Sequence, residues 1–215
     1  MSTKNKILDA ADVLFANKGF NGTSLREITS QANVNLAAVN YHFGSKKELI
    51  KAVMSRYMDE LSPRLESALS LICQAELKPT LHEVFSAFIG PLLHLNEFKE
   101  NGTSTFLQLL GRGYTDSQGF LRWFLTTQYP DVFTNFTKAV NIAYPELTAE
   151  EIFWRLHFTM GTIVFTMSSS EALIDIAQND FDNELDIAGV IERVIPYVAA
   201  GVGAPITNIE PLSLR

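Results

Sequence analysis

The chain has 215 residues, 47% apolar and 19% charged, which is enough to bury a core in one or two domains and excludes a disordered polymer. A single cysteine, Cys73, excludes an intramolecular disulfide and fits a reducing compartment. The net charge of −7 is unevenly spread: residues 1–60 hold eight basic and six acidic side chains (+2), the remainder nine and eighteen (−9), as expected when one small part faces phosphate and the rest does not.

Helical periodicity runs through the chain, and no stretch sustains a period of two. Ile7, Ala10, Ala11, Leu14 and Phe15 share one face of a first helix, which Gly19 should end. Ser24 and Glu27 have the spacing of a capping box opening a second helix, with Leu25, Ile28 and Ala32 as its buried stripe. Only Asn33 and Val34 then intervene before Asn35, a good N-cap for a short helix from Leu36 to Tyr41, closed by Gly44. Asn33 suits the left-handed conformation that so sharp a turn requires. Ser45 and Glu48 form a second box, and Leu49, Val53 and Tyr57 continue a helix expected to reach about residue 75.

A soft joint falls at Lys78 and Pro79. Beyond it, helices are expected from about Thr80 to Leu95 and from Thr103 to Tyr114, the latter ending near Gly111 and Gly113. The run Ser117 to Ala143 should be kinked or divided by Pro130. Thr148 and Glu151 make a third box at the start of a strongly apolar helix to about Ser169, and Asp186 can cap a last helix to about Ala200. The fold class expected is all-α, with a DNA-binding domain over residues 1–50, its connecting helix, and a second helical domain over 51–215.

Two short helices joined by a tight turn and flanked by helices make a helix-turn-helix. Its second helix carries Asn35, Leu36, Ala37, Ala38 and Asn40. Small residues allow close approach to bases, an asparagine can pair with adenine, and an alanine methyl can meet the thymine methyl. Tyr41 and His42 can hydrogen-bond phosphate at its exit. Lys46 and Lys47 coincide with the next helix N-terminus, a natural phosphate site, while Thr23, Ser24 and Arg26 offer a matching anchor.

The residues Gly19-Phe20, Thr23 to Ile28, Ala32, Val34 and Tyr41 to Leu49 resemble the TetR-family DNA-binding domain over roughly the first 60 positions. Asn33 stands where that family usually has a turn glycine, and Asn40 where many members carry tyrosine, so operator preference does not transfer. The fuller string Val34 to Lys46, with Leu109-Leu110-Gly111, Ser117-Gln118-Gly119, Leu121-Arg122 and Phe153 to Phe158, is similar to the fatty-acid-responsive PsrA-like branch. The resemblance implies a homodimer joined through the last two long helices and bound to a palindromic operator in double-stranded DNA. It further implies repression of fatty-acid degradation genes, relieved by a long-chain fatty acid or acyl-CoA. Another apolar effector, or a constitutive DNA-binding protein with none, stands as the alternative.

An acyl pocket needs apolar lining and a polar anchor. Phe106, Leu110, Trp123, Phe124, Phe136, Trp154 and Phe158 are candidate lining, and Arg112, Arg122, Arg155 and His157 candidate anchors. An arginine among apolar residues more often has a partner within the protein. His42, His82, His94 and His157 lack metal-ligand spacing, and no cofactor is expected. An enzyme would want a nucleophile elbow, a glycine-rich phosphate loop or paired carboxylates, and none is present. The charged N-terminus is unlike a signal peptide, and the longest uncharged run, Leu156 to Ser170, falls short of the roughly 20 apolar residues of a membrane span. A cytoplasmic protein is expected.

Overall fold

The computed structural model describes residues 2–116 and 118–206, which form twelve helices and no strand. Helix α1 (Thr3–Gly22) is interrupted at Gly19, whose φ of 76° and ψ of 170° break the helical run where the periodicity placed its end. The chain then turns so that Phe20 packs edge-on against Phe15, ring centres 5.2 Å apart. Helices α2 (Leu25–Ala32) and α3 (Leu36–Phe43) follow, joined through Asn33 in the left-handed conformation at φ 51°, ψ 51°.

Helix α4 (Lys46–Gln74) is the long spine. Leu49, Val53, Tyr57, Leu61, Leu65 and Leu69 recur every fourth residue along it, and all are buried. Around it lie α5 (Leu81–Ser86), α6 (Ile89–Phe98), α7 (Gly102–Asp116), α8 (Gln118–Gln128) and α9 (Pro130–Ala143). Helices α10 (Ala149–Ser168), α11 (Ser170–Phe181) and α12 (Ile187–Val202) complete the chain. The spine packs against α9 and α6, while α10 joins α7 to α12.

Three expectations need correction. The helix from Thr80 to Leu95 is two helices, because Pro91 has no N–H and its ring would clash with the carbonyl four residues back, at Ala87, where α5 ends. Gly111 and Gly113 lie inside α7 rather than at its end. A methyl at Gly113 would stand 1.9 Å from Leu121, so the glycine lets α8 approach α7 closely. Helix α11 was not expected at all. Pro130, by contrast, divides α8 from α9 as anticipated, sitting in the first turn of α9. Ser117, the expected opening of that run, lies outside the described residues.

The helix-turn-helix is not a detached module. α1 packs along α7, and its buried Asp12 binds across three elements. One carboxylate oxygen of Asp12 accepts from Arg56 of α4 at 3.2 Å, from the Tyr57 hydroxyl at 3.1 Å and from Lys99 at the end of α6. Arg56 also pairs with Asp9 at 2.9 Å. Burial pushes the Asp12 carboxyl above its ordinary range, against the lowering effect of Lys99, Arg56 and Tyr57. Burial, with the Asp12 charge, pushes the Tyr57 hydroxyl up as well.

Asp12→Ala should therefore lower unfolding free energy by roughly 2–3 kcal/mol, since it leaves the Lys99 ammonium and the Tyr57 hydroxyl without their acceptor. Urea denaturation of both proteins measures the loss. A pH series adds a signed check. A carboxyl raised in the fold contributes stability that is present below its unfolded pKa, about 4, and is lost as pH rises through the folded value. Asp12→Asn should remove that component of the decline.

Candidate nucleic-acid interface

Local chemistry positions α2, α3 and the start of α4. The Ser24 hydroxyl accepts from the Glu27 N–H at 3.2 Å, and the Glu27 carboxylate accepts from the Ser24 N–H at 2.7 Å, closing the expected capping box. Lys18 of α1 donates to Glu27 at 2.9 Å. Lys18 first, and the Ser24 bonds next, hold the Glu27 carboxyl down to about 2. Asn35 caps α3 by accepting from the Ala38 N–H at 2.9 Å. Ser45 accepts from the Glu48 N–H at 3.2 Å, but the Glu48 carboxylate pairs with Lys51 at 2.8 Å, so only half of that box forms.

On α3, Val39 and Phe43 are buried, one turn apart, and fix the helix to the core. The opposite face presents Leu36, Ala37, Asn40 and Tyr41 to solvent, with Tyr41 85% exposed. This face has the shape and chemistry the major groove accepts: two small or short apolar residues for close approach, an amide to pair with a base edge, and a phenol. Ala38 and His42 are half-buried on its flank. The His42 ring stands edge-on to Tyr41 at 5.0 Å and to Phe43 at 6.2 Å, which fits packing as well as phosphate contact.

The anchors divide. Arg26 is exposed in the first turn of α2, and Lys46 and Lys47 open α4 behind the Ser45 cap, where free N–H groups and ammonium charge coincide. Thr23 does not join them. It is 2% exposed, and its hydroxyl donates to the carbonyls of Leu14, at 3.1 Å, and Gly19, at 2.8 Å. Thr23 thus ties down the end of α1, its hydroxyl turned inward instead of toward DNA. Two further cations lie near the surface without having been singled out: Lys18 beside Glu27, and Lys51 beside Glu48.

The candidate pocket residues do not converge. Phe106 is buried against Tyr57, ring centres 5.8 Å apart, and Phe136 packs edge-on to Phe85 and Phe88. Phe124 is core beside Tyr129. Leu110 is half-buried against the core, and Arg122 is exposed on α8. Arg112 donates to the carbonyls of Ala16 and Asn17 near the end of α1. Arg155 is held by Glu151 and by the carbonyls of Val202, Ala204 and Pro205 after α12. Trp154, His157 and Phe158 lie along the outer side of α10, with the Trp154 and Phe158 rings stacked at 6.0 Å. Trp123 is 57% exposed and faces α4 rather than a cavity.

Residues 86–201, over half of the chain, match the family described as tetracyclin repressor-like, C-terminal domain, and residues 7–53 match the bacterial regulatory proteins of the tetR family. The chain belongs to the TetR family. The enzyme reading ends with that membership. Among curated relatives, a probable helix-turn-helix regulator of Bacillus subtilis, YttP, is 44% identical over 72 residues, 34% of this chain and 35% of that protein. The negative regulator of the Staphylococcus aureus biofilm operon, IcaR, is 39% identical over 59 residues, 27% of this chain and 32% of that protein. The chain thus matches only about a third of the length of these relatives.

Two solved structures share the fold over nearly the whole chain. SmeT, the repressor of the Stenotrophomonas maltophilia multidrug efflux pump, is 20% identical with a TM-score of 0.58, covering 99% of this chain and 98% of that one. A TetR-like regulator from Rhodococcus is 17% identical with a TM-score of 0.57, covering 94% and 97%. Among the described residues no helix is long and apolar enough to cross a membrane.

Proposed function

We propose that this TetR-family regulator acts as a homodimeric repressor that lays α3 in the major groove of a palindromic operator. The exposed α3 face of Leu36, Ala37, Asn40 and Tyr41, between the helix N-termini carrying Arg26 and Lys46-Lys47, is the observation that carries it. The lysines and the arginine fix register on phosphate while Asn40 reads a base.

The second copy is expected on α10 and α12. Trp154, Phe158, Gly161 and Thr162 form one stripe of α10, with Phe158 67% exposed and open space around the Gly161 Cα. Pro196, Ala200 and Gly201 are exposed on α12, which packs beside α10. Aromatic and small residues on two adjacent helices suit an isologous four-helix contact, and a two-fold axis would set two α3 helices about 34 Å apart, one turn of DNA.

The finer reading is that a long-chain fatty acid or acyl-CoA releases the operator. It draws on the likeness to the PsrA-like branch and on a groove of about 580 Å³ between α10, α11 and α12. Leu173, Ile174, Val190 and Val194 give that groove apolar walls, and Arg193 lies at it as a cation for a carboxylate or phosphate head group.

Lys46→Ala should weaken binding to all duplexes and reduce the log–log salt slope by about one, whereas Asn40→Ala should change the preferred sequence at one position. Fluorescence anisotropy across salt, with operators selected from genomic fragments, reads both. If neither substitution alters binding, the docking is wrong. Phe158→Asp should convert the dimer to monomer in sedimentation and lower operator affinity by at least about tenfold. A stable dimer in that variant would place the interface elsewhere. Oleoyl-CoA or oleate, below its micelle threshold, should release the operator in a mobility shift. Retention of the complex under both lipids would end the acyl reading while leaving the DNA reading intact.

A further inference from the structure

Helix α8 meets the start of α4 through two rings and two ammonium groups. The Lys47 Nζ stands 4.4 Å from the centre of the Phe120 ring. One turn along α4, the Lys51 Nζ lies 5.8 Å from Phe120 and 5.9 Å from Trp123. The pairs are matched by helix geometry: lysines four apart on α4 face aromatics three apart on α8. The other end of the segment is tied to the same spine, where the Tyr129 hydroxyl donates to Asp59 at 2.6 Å. Burial and that contact push the Tyr129 hydroxyl up to about 12, so it stays a donor.

The adjoining face of α8 belongs to the C-terminal core. Leu121, Phe124 and Leu125 are buried, Leu121 fits over Gly113 of α7, and Phe120 is itself half-buried against that core. One short helix therefore touches the packed interior and the opening lysines of α4 through neighbouring side chains, so repacking beneath α8 would bear on the Phe120 ring.

We propose that Phe120 and Trp123 are positioning residues for DNA binding: their ring faces hold Lys47 and Lys51 ready for phosphate, and α8 carries the state of the C-terminal domain to those lysines. The proposal rests on the reading of α4's N-terminus as a phosphate anchor. A free lysine loses rotamer freedom when it settles on phosphate, and a ring that already limits that freedom reduces the loss. A ring covers one side of an ammonium group with three donors, leaving the others for phosphate oxygens at Lys47, whereas Lys51 also gives one donor to Glu48 at 2.8 Å.

The test uses the full chain and duplex DNA of mixed sequence, since phosphate contacts do not depend on sequence. Phe120→Leu keeps apolar volume without a ring face, and Phe120→Trp keeps the face. Affinity should fall about threefold in Phe120→Leu and be restored in Phe120→Trp, with unchanged thermal unfolding. In a Lys47→Ala background, Phe120→Leu should cause little further loss, because the ring then has no ammonium to place. Unchanged or tighter binding in Phe120→Leu overturns the proposal, as does a full threefold loss in the Lys47→Ala background. A Lys47→Ala protein with wild-type affinity and salt slope instead overturns the phosphate-anchor reading beneath it.

Discussion

The buried carboxylate of Asp12 fixes the relation between the helix-turn-helix and everything behind it. Water is excluded from it, and a carboxylate in that setting persists only when cations and donors replace the hydration shell. Arg56 and Tyr57 come from the spine and Lys99 from the end of α6, so one oxygen ties α1 to two elements distant in sequence. The other oxygen, Oδ1, has no hydrogen-bond partner among the described residues, and burial outweighs the cations, so the carboxyl pKa moves up. The arrangement costs stability relative to an apolar filling, but it admits one relative placement of α1, α4 and α6 because its geometry is directional. Since α1 supports α2 and α3, the angle at which α3 meets DNA inherits that placement.

A second set of contacts reinforces the same joint from the other side. Arg112 of α7 donates to the carbonyls of Ala16 and Asn17, just before Gly19 breaks α1, and Thr23 takes the carbonyls of Leu14 and Gly19. A helix end leaves carbonyls unpaired, and a guanidinium or a hydroxyl is what the chain has available to meet them. With α1 lying along α7, the helix-turn-helix is braced by the C-terminal domain instead of hanging from α4 alone. The contacts of α7 with α1, and of α8 with the first turns of α4, thus join the C-terminal helices to both sides of the helix-turn-helix.

The sequence was most legible where structure is decided within four residues. Caps at Ser24, Asn35, Ser45, Thr148 and Asp186, and the left-handed turn at Asn33, depend on side chains bonding their own neighbours, and all stand where the spacing put them. The exposed side of α3 was equally legible, since Val39 and Phe43 define its opposite. Legibility failed where a residue's role depends on a partner far along the chain. Thr23 reads as a cap or anchor from its neighbours, and only the break at Gly19 turns its hydroxyl inward. Arg155 reads as a head-group anchor until the carbonyls after α12, some 50 positions away in sequence, occupy it. Two local signals went unread: the missing N–H of Pro91, which divides α5 from α6, and the capping box of Thr80 and Glu83 that opens α5.

The candidate pocket residues illustrate a related point: phenylalanines in successive helices suggest lining, yet hydrophobicity specifies burial without specifying against what. Phe106, Phe124 and Phe136 bury against Tyr57, Tyr129, Phe85 and Phe88, and that packing supports the spine. Two groups of aromatics outside this packing have different neighbours. Trp154 and Phe158 stand exposed on α10 beside α12, their rings stacked on each other, and a second copy of the same surface would complete them. Phe120 and Trp123 stand on α8 beside Lys47 and Lys51, so they are already engaged with cations. Aromatic exposure alone does not tell an interface from a positioning contact; the charge of the facing residues does. By that criterion the outer surface of α10 suits assembly, as proposed, and that of α8 suits the placing of lysines at the start of α4, and the core lies between the two.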